Sequence, residues 1–337
     1  MSKWVFITGA CGYLGLAAAA RLAEQQQWSV MMIDPRVNEI THAHRFCHAL
    51  MAEPCDSDRA IEAIKSYRPS AVLHLAGRDR SDMCLLDGMA YWETDVTSSM
   101  RLSRACSLSG VKSFILASTC DLYAPSDSHV DEDSRVSPRS ATAGSRMAME
   151  LLAGDLSRAS GLTSVSLRFS SLGGATAASG PLRGRSGTLN RIMEAHVHST
   201  PFNINGRDWP TVDGTPEVDL LHIQDAASAI VTALEWSLCN HGSHTFNVCT
   251  GNNVTAQQLV DMAEAYINKH LPYRYTGRQP HDAGWARFSP DRFSSATGWR
   301  STMTVDDVLR DTVAWYQGSI YQSYTGLRIE HRHNQYR

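Results

Sequence analysis

Short apolar runs alternate with amphipathic ones through the first half of the chain. Trp4–Thr8, Ser29–Ile33, Ala71–Ala76 and Ser113–Ser118 are near-continuous in apolar residues and of strand length. Between them, Tyr13–Gln26, Ser57–Tyr67 and Asp95–Ser109 carry the spacing of helices. Strands with no polar face need cover on both sides, so this order predicts a parallel sheet with helices above and below. A helix over Thr142–Ser160 and a strand over Thr163–Phe169 extend the alternation. From Ser170 the texture changes. Gly, Ser and Ala dominate residues 170–187, an irregular stretch that reads as a functional loop or simply a mobile one. Beyond it come a helix over Thr188–His198, a strand over Leu220–Ile223, a helix over Asp225–Leu238 and a short strand over Thr245–Val248. Val254–His270 is an amphipathic helix whose cap is Asn253 or Thr255, and a last helix spans Thr304–Tyr316. The predicted architecture is α/β. A doubly wound parallel sheet occupies residues 1–169, with later segments returning to it. A smaller C-terminal α/β region spans 170–320, and 321–337 form a polar tail.

Composition narrows the partners. Of the 337 residues, 43% are hydrophobic and 19% charged, the balance of a folded chain rather than a disordered one. A net charge of −3 gives no electrostatic reason to expect nucleic acid or an anionic membrane as partner. There is no run of 18 apolar residues, and the opening Met-Ser-Lys leads directly into the first strand, so neither a spanning helix nor a signal peptide is expected. The 8 cysteines form no C-x-x-C pair, which argues against zinc and a disulfide framework and fits a reducing cytoplasm. His42, His44 and His48 cluster without a cysteine or acid at ligand spacing, so no metal is expected there.

The chemistry begins at Thr8-Gly9-Ala10-Cys11-Gly12-Tyr13-Leu14-Gly15. A strand precedes this run and a helix follows it. Gly9 permits the sharp turn, Gly12 lets a pyrophosphate approach the backbone, and Gly15 lets the helix pack close to the strand. The helix N-terminus presents free N–H groups and a positive dipole end to phosphates. Asp34 closes the second strand, about 20 positions on, where an acid meets ribose hydroxyls. A 2′-phosphate would face that carboxylate, so NAD is expected rather than NADP, although Arg36 stands close by. Cofactor contacts are therefore expected from Gly9, Cys11, Gly12, Tyr13, Leu14, Gly15 and Asp34, making the sheet Rossmann-type. The strand ends add Ala76, Gly77 and Ser118, and Asp56 either caps the following helix or lies near the adenine.

The series Thr8-Gly-x-x-Gly-x-x-Gly15, His74-Leu-Ala-Gly77, Ser118-Thr-x-x-x-Tyr123, Leu167-Arg-Phe169, Asp213-Gly-Thr215 with Asp219 and Asp225, and Arg278-x-x-x-Asp282 resembles the extended short-chain dehydrogenase/reductases. The nucleotide-sugar epimerases and dehydratases, UDP-glucose 4-epimerase among them, are the branch it is most similar to, over nearly the whole chain. The resemblance implies NAD as cofactor and a C-terminal region that grips a UDP- or dTDP-type nucleotide sugar through Ser171, Leu189, Arg278 and Asp282. It also implies a homodimer through Met100, Leu102, Ala105 and Leu108 on one helix and Met147, Leu151 and Leu152 on another; alternatively these residues face the sheet.

The signature Tyr-x-x-x-Lys of that family falls on Thr142 and Arg146. An alkyl hydroxyl is a far weaker acid than a phenol with pKa near ~10, so Thr142 cannot act as the usual base. Arg146 can still donate to a ribose, with a permanent charge. Val218 stands where an arginine contacts the diphosphate, leaving Arg278, Arg183, Arg185 or Arg207 to supply charge. Thr119-Cys120-Asp121 replaces the Thr-Asp-Glu of the dehydratases. Cys120 as a thiolate base with Asp121 as proton shuttle is one reading of the catalytic set, and an inert buried cysteine beside a turn-capping acid is the other. Tyr123 is a packing residue or a substitute phenol. Three functions follow: a nucleotide-sugar epimerase or dehydratase with a rebuilt proton relay, a non-catalytic binder of NAD and nucleotide sugar, or a reductase or isomerase of another small molecule.

Overall fold

The computed structural model describes residues 3–37, 47–50, 58–77, 88–126, 128–181, 187–278 and 287–318. Asp56, Arg183, Arg185, Asp282, His42 and His44 lie outside the described residues, as does the polar tail.

Seven parallel strands form the central sheet. Numbered along the chain they are β1 (Lys3–Thr8), β2 (Trp28–Ile33), β3 (His48–Leu50), β4 (Ala71–His74), β5 (Ser113–Thr119), β6 (Thr163–Phe169) and, much later, β10 (Ser243–Val248). Their spatial order is β10-β6-β5-β4-β1-β2-β3. The order reverses between β1 and β4, whose register pairs Thr8 with His74. Helices α1 (Tyr13–Gln25) and α7 (Ile223–Ser237) cover one face, where Leu16, Leu22, Ile230 and Leu234 are buried with Val5, Ile7 and Val165. Helices α2 (Asp58–Tyr67), α4 (Thr97–Ser109) and α5 (Ala141–Ser160) cover the other, burying Ile64, Leu102, Met149 and Leu156 against Phe6, Val72 and Phe114. This is the Rossmann-type doubly wound sheet that the apolar pattern predicts, larger than its four most apolar strands.

Several elements differ from the pattern-based expectation. His48, the last of the clustered histidines, lies in the short edge strand β3. Ahead of α4, a helical turn α3 (Gly88–Tyr91) runs into a π-helical turn, Trp92–Val96, so the predicted start at Asp95 falls inside a continuous but irregular helix. The stretch 170–187 contains β7 (Ser171–Gly173), which pairs in parallel with β9 (Glu217–His222), three residues longer at its start than the apolar run predicts. Polar Glu217 and Asp219 hide that strand from a hydrophobicity pattern, yet its ladder hydrogen bonds need no apolar side chain.

The smaller unit has its own core. Helix α6 (Thr188–Val197), β8 (Phe202–Asn205), β9, β11 (Asn253–Thr255), α8 (Ala256–Ile267) and α10 (Val305–Gln317) bury Leu189, Phe202, Leu220, Leu259 and Leu309 together. Of the two candidate caps for α8, Thr255 fills the role: its hydroxyl accepts from Gln258 N–H while Gln258 answers to Thr255 N–H, a capping box worth about 1 kcal/mol. Strand β12 (Tyr273–Thr276) pairs in parallel with β8, and the short helix α9 (Asp291–Thr297) returns Phe293 to the main core.

Candidate active site

The carboxyl ends of β1, β4 and β5 meet at the point where strand order reverses, the place where open α/β sheets bind ligands. The glycine run occupies it. Gly9 has φ +68°, and a Cβ there would stand 2.6 Å from Ala76 Cα, so both the turn and the packing against the β4 loop require glycine. Gly12 N–H donates to Gly9 O at 3.0 Å and forms the N-cap of α1, leaving the first turn of that helix aimed across the strand ends. A Cβ on Gly15 would collide with the Gly9 carbonyl, which explains the third glycine. This cradle suits a pyrophosphate.

Asp34 is buried at the end of β2 and holds the turn from the side. Its Oδ2 accepts Cys11 N–H at 3.0 Å, and its Oδ1 accepts Arg36 N–H at 3.0 Å. Arg36 Nε lies 3.4 Å from the same oxygen, so its charge leans on Asp34 rather than standing apart from it. Cys11 and Leu14 pack into the core, and their share in the cradle is made by the backbone. Tyr13 reaches across to the second unit, donating its hydroxyl proton to Gly174 O at 2.7 Å, and burial raises its pKa.

At the β4 and β5 ends, Arg146 projects from the second turn of α5. Its Nη1 donates to Ala76 O at 3.1 Å and to Ala117 O at 3.0 Å, bridging two neighbouring strand ends. The guanidinium lies in the space that a Cβ on Gly77 would take, so a side chain there would displace it. Arg146 is thus a fixed positive strut at the strand ends. Thr142 lies one turn earlier and is half-exposed, and its carbonyl accepts from Ser145 Oγ at 3.0 Å. Beneath them His74 bridges β1 and α4, with Nδ1 2.7 Å from Thr8 Oγ1 and Nε2 2.8 Å from Ser99 Oγ. Burial, helped by the nearby Arg146 charge, lowers its pKa to about 3 and keeps the ring neutral.

The turn after β5 sorts its residues cleanly. Thr119 caps it, accepting Asp121 N–H at 3.1 Å. Cys120 is buried and donates its thiol proton to Arg168 O at 3.2 Å. Burial pushes that thiol well up, reinforced by the negative charges of Asp219 and Asp121. This enclosure and raised pKa disfavour a thiolate at Cys120 and lend a base at this position no support. Tyr123 is likewise buried, beside Phe288, its hydroxyl donated to Asn247 Oδ1 at 2.6 Å and its pKa raised by burial, as suits a packing residue. Asp121 differs from both. Its side chain retains solvent-accessible surface, while the surrounding protein desolvates the carboxyl enough to raise its pKa against the Thr119 hydroxyl and the Arg139 charge.

In the second unit most motif acids turn out to be architectural. Asp219 is buried and accepts from Ser170 Oγ, Thr250 N–H and Gly251 N–H; Asp225 accepts from Thr302 and Met303; Asp213 accepts from Thr215 and Thr255. The Leu189 side chain is buried in the second core. Ser171 is half-exposed at the start of β7. Val218 packs beside the second core. Arg278 lies flat on Trp209, Cζ 3.8 Å from the ring centroid, with Nε donating to Asp208 Oδ1 at 2.8 Å, and Arg207 lies over Tyr275. Both arginines are held on the surface of one loop and one strand. Glu150 is the functional candidate that sequence reading missed. Its spacing four residues beyond Arg146 is the signal that was available.

Among the described residues no group of three metal-ligating side chains occurs, and no helix is long and apolar enough to cross a membrane.

A doubly wound sheet with a glycine cradle at its switch point and an acid closing β2 defines a dinucleotide-binding α/β protein. Sequence comparison makes this specific: residues 5–249 match the model of the NAD dependent epimerase/dehydratase family, and the chain belongs to it. It is 26% identical over 328 residues to UDP-glucose 4-epimerase of Rhizobium leguminosarum bv. trifolii, covering 94% of this chain and 98% of that one. Bacillus subtilis UDP-glucose 4-epimerase is 24% identical, covering 94% and 97%. Among solved structures, UDP-glucose-4-epimerase from Stenotrophomonas maltophila, with bound NAD and formylated UDP-arabinopyranose, superposes with a TM-score of 0.89 at 24% identity, covering 95% of this chain and 99% of that one. The Bifidobacterium longum enzyme, in complex with NAD+ and UDP, gives 0.85 at 18%, covering 93% and 98%.

Proposed function

We propose that this chain is an NAD-dependent epimerase of UDP- or dTDP-linked sugars, working through transient oxidation at sugar C4 with Asp121 as the acid–base group. The single observation that carries the reading is Asp121 itself: an open, partly desolvated carboxyl on the turn after β5, against which α5, the helix that carries Thr142 and Arg146, packs. Carboxyls so placed titrate closer to neutrality and are suited to proton transfer.

The Gly9–Gly15 turn and the α1 N-terminus would hold the cofactor pyrophosphate, Asp34 would meet the adenosine ribose, and Arg146 would donate to the nicotinamide ribose. Bound NAD would supply the hydride acceptor and donor for C4. Asp121 accepts the C4 hydroxyl proton as the hydride leaves, giving a 4-keto sugar and a neutral carboxylic acid. It gives the proton back when the hydride returns to the other face. Thr142 and Thr119 donate hydrogen bonds to the same oxygen. Elimination would need a further base at C5, and the protonated Cys120 thiol does not supply one. Met100, Leu108 and Leu151, 56%, 72% and 63% exposed on α4 and α5, are proposed to meet their copies in a homodimer.

Incubation with UDP-glucose, UDP-galactose and dTDP-glucose in deuterated water, followed by NMR, tests the reading. The expected result is C4 inversion without deuterium at C5, kept largely intact in Cys120→Ala. Deuterium at C5, lost in that variant, means elimination. No conversion by protein that retains NAD identifies a non-catalytic binder, the reading favoured by the joint replacement at Thr142 and Arg146.

A further inference from the structure

Behind the 120–122 turn lies a buried polar cluster that the proposed reaction does not use. Glu150 engages both carboxylate oxygens. Oε1 accepts Ser118 Oγ at 2.5 Å and Arg168 Nε at 3.0 Å, and Oε2 accepts Arg168 Nη2 at 2.7 Å. The ion pair is nearly sealed, its side chains 8% and 10% exposed. Arg168 extends the cluster in two directions. Its guanidinium lies over the Tyr123 ring, Cζ 4.9 Å from the centroid, and its carbonyl accepts the Cys120 thiol. Tyr123 is in turn fixed through Asn247.

These contacts have a pattern. Ser118, Cys120 and Tyr123 are each tied down from the buried side, while Thr119 and Asp121, interleaved with them, retain accessible surface. On α5, Glu150 follows Thr142 and Arg146 at four-residue steps, so the three share one helix stripe along the β5 end. A buried ion pair is a weak source of net stability, because desolvation offsets most of its attraction. Its bidentate geometry is a strong source of position.

We propose that Glu150 is a positioning residue: by clamping Ser118 and Arg168 from the stripe that carries Thr142 and Arg146, it fixes the Thr119–Asp121 turn against α5. The inference rests on Asp121 as the acid–base group for its kinetic consequence, but not for its geometric one. Glu150→Gln keeps the size and removes the bidentate carboxylate. Ser118→Ala removes one bond only and serves if the first variant does not fold.

Two measurements decide. The first is the titration of Asp121 by carboxyl 13C NMR in the full-length protein, assigned with Asp121→Asn. Loosening the turn should lower its midpoint measurably towards the ordinary aspartate range. The second is kinetic. In Glu150→Gln, kcat should fall about tenfold or more with KM little changed, since misplacement of a reacting group acts on the chemical step. The same change made on Asp121→Asn should cost little further, the mark of two residues acting as a unit. A variant that melts earlier yet keeps the wild-type Asp121 titration and kcat overturns the proposal and leaves the cluster merely structural. If Asp121→Asn retains full turnover, the relay reading fails instead, and the Asp121 titration alone still decides whether Glu150 sets the turn.

Discussion

At the scale of single residues, two neighbours on one turn have opposite fates because of where their side chains point. Cys120 is enclosed and its thiol is spent on Arg168 O, while Asp121 faces the open side with a raised pKa. A base must be ionised to work, so kcat/KM should rise with pH through the raised pKa of Asp121, giving an acid limb above the usual aspartate range near ~3.9. In Asp121→Asn that limb should vanish and turnover should fall by about 10²-fold or more, as measured by pH–rate profiles of both proteins. The sequence shows both residues side by side and gives reasons to suspect either. Pattern alone cannot separate them, since enclosure depends on Arg168, Cys249 and Phe288, which pack around the turn from other parts of the chain.

At the scale of elements, His74 shows how strand ends are coupled. It joins β1 through Thr8 and α4 through Ser99, and Ser99 in turn donates to Asp95 O at 2.6 Å within the π-helical turn. The imidazole is neutral in the folded protein, with a pKa of about 3, whereas in the unfolded chain it returns to about 6.5. Below pH 6.5 the unfolded state gains a proton that the folded state refuses, so this contribution to stability is complete above that pH and is lost as pH falls towards 3. The loss amounts to about 2 kcal/mol at pH 5. Denaturant titrations at pH 7.5 and pH 5 should show it, and His74→Gln should flatten the difference while lowering stability at pH 7.5. The periodicity of the sequence locates β1, β4 and α4 but says nothing of this bridge. Local hydrogen-bonding residues such as Thr8 and Ser99 carry no period, and neither does a π-helical turn.

For the whole molecule, the main sheet is completed only by chain from beyond residue 220, with α7, β10 and Phe293 returning to it while the intervening segments build a second core. The proposed dimer seam is divided in the same way. Leu102 and Ala105 are buried against the sheet, whereas Met100, Leu108 and Leu151 remain exposed on the outer face of the paired helices. Replacing Leu151 by Arg should therefore leave the fold and its melting temperature close to wild type, since surface changes move stability by less than about 0.5 kcal/mol. It should also convert the sedimentation profile from dimer to monomer; wild-type protein that sediments as a monomer at micromolar concentration would remove the seam. By itself the sequence determined the parallel sheet, the glycine cradle and Asp34, because apolar periodicity and glycine's freedom are properties of short stretches. Only the tertiary structure decided which of Cys120, Asp121 and Tyr123 keeps accessible surface, that Leu189 and the second-half acids are drawn into packing and hydrogen bonds, and that Glu150 stands behind the 120–122 turn. Those outcomes depend on burial and on partners up to a hundred residues away or more, and no local pattern encodes the solvent a side chain loses when distant segments close over it.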